Sequence, residues 1–148
     1  MTYDKAEWHY EGDYPDDLPP ENSETHMGMF MAWLINNNLE GKFHKKESRD
    51  SLRAVRSMEM TGREFLVKEC DKRLLPVDLS KKANAFARAY YESDTYYADY
   101  ASVLAKELPS LYHVEDSWEN YHKIAPVIMR RYLDWKKTCA GKWWQFWK

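Results

Sequence analysis

Five histidines and two cysteines hold most of the metal-binding and nucleophilic chemistry open to this 148-residue chain. His9, His26, His44, His113 and His122 include no i, i+4 pair of the kind that grips a metal on one helix face. His113, with Glu115 and Asp116 just after it, is the tightest grouping and could serve acid–base or metal chemistry. The competing reading makes that segment a helix entry, capped by Asp116 or Ser117, with Tyr112 and Trp118 packing. A second grouping would join His9 and His26 to Asp13, Asp16 or Asp17, since histidine is a frequent metal ligand. Spacing along a Pro-rich arm says nothing about whether they converge. Cys70 falls on the apolar side of a helix and reads as a buried, inert thiol, because reactive thiols need an exposed, electropositive setting. The five glycines are isolated, and there is no phosphate loop, Gly-x-Ser-x-Gly elbow or His-Glu-x-x-His helix. The expectation is a protein without enzymatic activity, cofactor or bound metal.

Charge carries more information than these groupings. Residues 1–40 hold nine acids (Asp4, Glu7, Glu11, Asp13, Asp16, Asp17, Glu21, Glu24, Glu40) against Lys5, a net of -8; residues 41–88 are +6 and the remainder is balanced. Either the acidic arm lies across the basic helices and neutralises them, or it stays exposed and attracts a cationic partner. In the second case Asp13, Asp16, Asp17, Glu21 and Glu24 form the binding surface. Nucleic acid is not an expected partner, because the bases are spread out and the pI is about 6.2.

The elements that must position these residues are helical. Residues 1–22, with a turn at Gly12-Asp13 and prolines at 15, 19 and 20, read as an extended arm anchored by its aromatic residues. Ser23 or Thr25 caps a helix whose buried face is Met27, Phe30, Met31, Leu34 and Ile35. A second helix covers 46–59, with Lys46, Arg49, Arg53 and Arg56 outward. Thr61 and Glu64 form a capping box that opens a third. Ser80 caps a fourth, a fifth runs from about Tyr96 to Leu108, and Ser117 caps a last region with Pro126 at a kink or at the first turn of its second piece. The expected fold is all-α: one compact domain of about six helices over 23–139, preceded by the acidic arm (1–22) and followed by an aromatic tail (140–148).

That tail holds Trp143, Trp144, Phe146 and Trp147. It either folds back on Trp8 and Tyr10, docks a partner, meets a membrane interface, or joins two copies into a homodimer. The longest apolar run, Met29 to Ile35, is far short of the roughly 20 residues that span a bilayer. No signal-peptide pattern is present, and two cysteines fit reduced thiols, so a cytoplasmic protein is expected.

Several segments together resemble a family of small bacterial proteins of unknown function. Its opening is matched by Trp8-His9-Tyr10-Glu11-Gly12-Asp13-Tyr14-Pro15, Leu18-Pro19, Thr25-His26-Met27-Gly28-Met29 and Ala32-Trp33-Leu34. Its second signature is matched by the stretch from Leu108 through Tyr112-His113-Val114-Glu115-Asp116-Ser117-Trp118 to Tyr121. The resemblance spans about residues 3–136. It implies an immunity- or antitoxin-like protein that neutralises a bacterial toxin by direct binding; the acidic arm would suit a toxin with a basic surface. Gly28 inside a helix costs about 1 kcal/mol relative to Ala, so a close contact is expected there, with the arm's aromatic residues nearby.

Overall fold

Helix α2 (Thr25–Asn36) has every residue from Thr25 to Ile35 buried. A helix surrounded on all sides needs no polar face, so the single inward stripe expected of it is only part of the truth. The computed structural model describes the backbone of residues 1–147 and the side chains of residues 1–140. Around α2 lie α1 (Ala6–Tyr10), α3 (Lys42–Glu47), α4 (Arg49–Arg56), α5 (Gly62–Glu69), α6 (Lys81–Tyr90), α7 (Thr95–Leu104) and α8 (Trp118–Trp147). The all-α architecture holds. The described residues add a two-stranded antiparallel ribbon, β1 (Asp4–Lys5) on β2 (Arg73–Leu74), with Asp4 opposite Leu74, and an isolated antiparallel bridge between Glu40 and Leu79.

The N-terminal segment is a correction. It holds a strand and a short helix, followed by a 3-10 turn at Pro20–Glu24 that runs directly into α2. Neither Ser23 nor Thr25 caps α2: its N-cap is Glu24, and the Ser23 hydroxyl bonds the Pro20 carbonyl instead. Trp8 and Tyr10 are exposed; the segment is anchored by Tyr3, whose hydroxyl donates to Asn84 Oδ1 at 2.6 Å, and by His9 and Tyr14. The stretch 46–59 is two helices, split at Ser48.

The predicted caps at Thr61, Ser80 and Ser117 all form. At Thr61 both bonds of the capping box are present, 3.2 Å from the Glu64 amide to Oγ1 and 3.0 Å from the Thr61 amide to Glu64 Oε1. Pro126 lies within α8 without dividing it.

Gly28 does sit at a close contact, but the neighbour is α5, not the arm. A Cβ on Gly28 would lie 2.3 Å from the Arg63 amide nitrogen, and one on Gly62 would lie 1.7 Å from the Gly28 carbonyl oxygen. The glycine pair lets two backbones touch where α2 and α5 cross. Trp33 is core, stacked near Phe30 and edge-on to Tyr132.

Candidate functional site

The β1–β2 pairing buries Asp4, and four other elements then aim donors at it. Its Oδ1 accepts from the Lys5 amide (2.9 Å) and His9 Nε2 (2.7 Å); its Oδ2 accepts from His26 Nε2 (3.0 Å), Tyr91 hydroxyl (2.6 Å) and Tyr97 hydroxyl. His9 comes from α1, His26 from the first turn of α2, Tyr91 from the end of α6 and Tyr97 from α7. Five donors on one carboxylate fix its charge. Burial opposes ionisation, yet the hydrogen bonds and charge of His26 and His9 hold the Asp4 carboxyl well below the usual range. His26 is pulled down by burial, against the pull of Asp4, and Tyr91, Tyr97 and Tyr112 are pushed up chiefly by burial.

The second ring nitrogen of His26, Nδ1, is buried without a hydrogen-bond partner. His9 donates through Nε2, so its Nδ1 accepts the Tyr112 hydroxyl at 2.7 Å. His9 and His26 thus converge, which their spacing in the sequence left open. Their carboxylate is Asp4 rather than Asp13, Asp16 or Asp17.

This cluster braces the loop above it. Tyr112, held by His9, packs against Tyr14 with ring centroids 4.9 Å apart, and its carbonyl accepts from Asn22 Nδ2 at 3.0 Å. The Tyr14 hydroxyl closes the loop on the Pro19 carbonyl at 2.6 Å. Asp17 Oδ2 meets His113 Nε2 at 3.0 Å, and that hydrogen bond holds its carboxyl below the usual range. Asp13, Asp16, Asp17 and Glu21 are all exposed on this loop, as is Gly12. Among the described residues only Asp17 of these four has an ionic partner.

Glu24 must be taken out of the exposed set. It is buried, 4.0 Å from an Arg63 nitrogen, and burial pushes its carboxyl up. Glu40 is likewise buried against Arg56. The acidic segment therefore turns two of its carboxylates inward to the basic helices and leaves the loop acids outside. On the basic side, Lys45, Arg49, Arg53 and Arg56 line a single groove with Asn38, Glu40 and Leu52.

His113, Glu115 and Asp116 do not converge. His113 is held between Ser110 Oγ (2.8 Å) and Asp17, while Glu115 is exposed. Asp116 accepts from Thr61 Oγ1 (2.7 Å) and Arg63 Nε (3.0 Å), and Ser117 is the cap, as the helix-entry reading held. Trp118 packs edge-on to Tyr121. Trp143, Trp144 and Trp147 lie outside the described side chains.

A second buried cluster has no counterpart in the sequence reading. His44 on α3 places Nε2 2.7 Å from Asp78 Oδ1 and 3.7 Å from Cys70 Sγ; Nδ1 lies 2.9 Å from Ser48 Oγ, which donates to Glu69 Oε2 at 2.7 Å. Cys70 is buried, as expected, and burial pushes its thiol well up. His44 and Asp78 were invisible because their partners come from three separate elements with no fixed spacing. Asp4, Tyr91 and Tyr97 were missed likewise, since a two-residue strand carries no alternation to read.

No curated protein and no solved structure matches the chain. The model of a domain of unknown function, DUF7832, matches residues 2–114, about three quarters of the chain and all of both clusters, and the protein accordingly belongs to that family.

Proposed function

We propose that this protein is a non-catalytic binding protein whose acidic loop, residues 11–21, docks on a basic surface of a partner protein. The resemblance in the sequence favours a bacterial toxin as that partner, neutralised by direct contact. One observation carries the reading: Asp13, Asp16, Asp17 and Glu21 are exposed on a loop fixed at Tyr14, Asp17 and Asn22. A braced loop loses little conformational freedom on docking, which is the cost that weakens binding by flexible segments. Clustered like charge also speeds encounter, by roughly 10–10³-fold at low salt. In this reading the Asp4 cluster is a support: the five donors that meet Asp4 all belong to the protein itself, and its task is to hold the loop through His9 and Tyr112.

The test is association kinetics with the captured partner over a range of salt. Changing Asp13, Asp16 and Asp17 to Asn and Glu21 to Gln is expected to slow association about tenfold or more and to flatten its salt dependence. Unchanged kinetics would remove the loop from the mechanism.

A further inference from the structure

The His44 cluster poses a problem of hydrogen-bond accounting. Ser48 Oγ has one hydrogen, and Glu69 Oε2 takes it at 2.7 Å. Ser48 Oγ must then accept from His44 at 2.9 Å, which places a hydrogen on Nδ1. That leaves Nε2 facing Asp78 Oδ1 at 2.7 Å, the distance of a charge-assisted bond. The other Asp78 oxygen is already committed to the Leu75 amide at 2.8 Å. Two lone pairs cannot meet at such a distance, so a cation sits between them, either a proton or a metal ion. The Asp4 cluster poses no such problem, because His9 and His26 each have an Nε2 hydrogen to give.

We propose that His44 Nε2, Cys70 Sγ and Asp78 Oδ1 form a site for a divalent metal of the zinc type. The donor set suits zinc, which takes thiolate, imidazole and carboxylate together. With ordinary zinc bond lengths a tetrahedral site puts N and S about 3.6 Å apart, and N and O about 3.4 Å apart. The observed Sγ···Nε2 separation of 3.7 Å already fits; Asp78 Oδ1 needs to retreat from Nε2 by about 0.7 Å, by the same geometry.

Charge balances as well. The ion displaces two protons, the one on Nε2 and the one on the Cys70 thiol. Two positive charges enter and two leave, so the buried cluster keeps its net charge. The pair Ser48–Glu69 holds the Nδ1 hydrogen, the outer hydrogen bond that orients a metal-bound histidine. Three protein ligands leave the fourth position to a small ligand such as water. The ion would tie α3, the end of α5 and the turn at Pro76–Asp78 together.

The experiment is a Co²⁺ titration of the metal-free full chain. One equivalent is expected to bind, with a near-ultraviolet thiolate-to-cobalt absorption that Zn²⁺ then abolishes. The band should vanish in Cys70→Ser and persist in Cys139→Ser. Glu69→Gln should keep the band and weaken binding by about tenfold or more. A second reading needs no variant: in weakly buffered solution, zinc binding should release close to two protons per chain. Absence of the band, its loss in Cys139→Ser rather than Cys70→Ser, or zinc uptake without proton release would each overturn the proposal.

Discussion

Replacing Asp4 by Asn would leave one carbonyl oxygen where two carboxylate oxygens now accept five hydrogen bonds, and would aim two new donors at existing ones. Stranding a buried donor costs about 1–3 kcal/mol. We therefore expect Asp4→Asn to lower stability by about 3 kcal/mol or more in urea unfolding. Tyr112→Phe, which leaves only His9 Nδ1 without its partner, should cost about 1 kcal/mol. The pH dependence follows from the same groups. Asp4 has its folded pKa depressed, so its contribution is whole above the unfolded value near 3.8 and is lost as pH falls below it. His26 is also depressed, so charging it in the unfolded chain favours unfolding as pH falls below about 6.5. Both signs point the same way: acid destabilises. The gap between wild type and Asp4→Asn should close as pH falls below about 3.8, where Asp4 is protonated in the unfolded chain; a gap still widening there would contradict the assignment. At this scale the sequence was legible in types but not in pairings. His9 and His26 stood out as histidines near acids, whereas the carboxylate that joins them is set by a strand pair 70 residues apart in the chain.

Local signals placed the helix starts. Thr61, Ser80 and Ser117 cap their helices because each needs only the backbone amide three residues on. Thr61→Ala should cost about 1 kcal/mol from the cap, and more because the same hydroxyl donates to Asp116. Ser23 and Thr25 failed as caps because the preceding 3-10 turn continues into α2 and leaves no extended N-cap residue. The burial of α2 on every side, and the five-residue α1, depend on what packs around them, which no periodicity encodes. The α2–α5 crossing gives a sharper test. Gly→Ala in a helix normally stabilises by about 1 kcal/mol. Here the added methyl of Gly28→Ala meets backbone at 2.3 Å, and that of Gly62→Ala at 1.7 Å. Both variants should therefore be destabilised, by about 2 kcal/mol or more, in thermal unfolding. A rise in melting temperature would show that the helices do not touch there.

Over the whole molecule the charge asymmetry of the sequence becomes an arrangement in space. Asp4, Glu24 and Glu40 go inside, to His26, Arg63 and Arg56, and the loop acids stay out. The charge tally showed the asymmetry but could not sort its members, since Glu24 and Glu21 differ only in which face of the turn they occupy. The basic side gathers Lys45, Arg49, Arg53 and Arg56 along one groove. The spacing of the three arginines on α4 was visible, and Lys45 joins them only through the bend at Ser48. The family match ends at Val114, so it takes in the loop, both clusters and the groove but not α8. Among the described residues no helix is long and apolar enough to cross a membrane. The most direct test is paired affinity capture from native lysate, using the tagged wild-type chain and the variant with Asp13, Asp16 and Asp17 changed to Asn and Glu21 to Gln. Stability of the two baits is checked first by thermal unfolding: Asp13→Asn, Asp16→Asn and Glu21→Gln should each leave it unchanged within about 0.5 kcal/mol, and any further loss measures the Asp17 bond to His113. The account predicts one stoichiometric basic protein on the wild type and its loss from the variant. The same partner retained equally on both baits, or a partner without a basic surface, would contradict it.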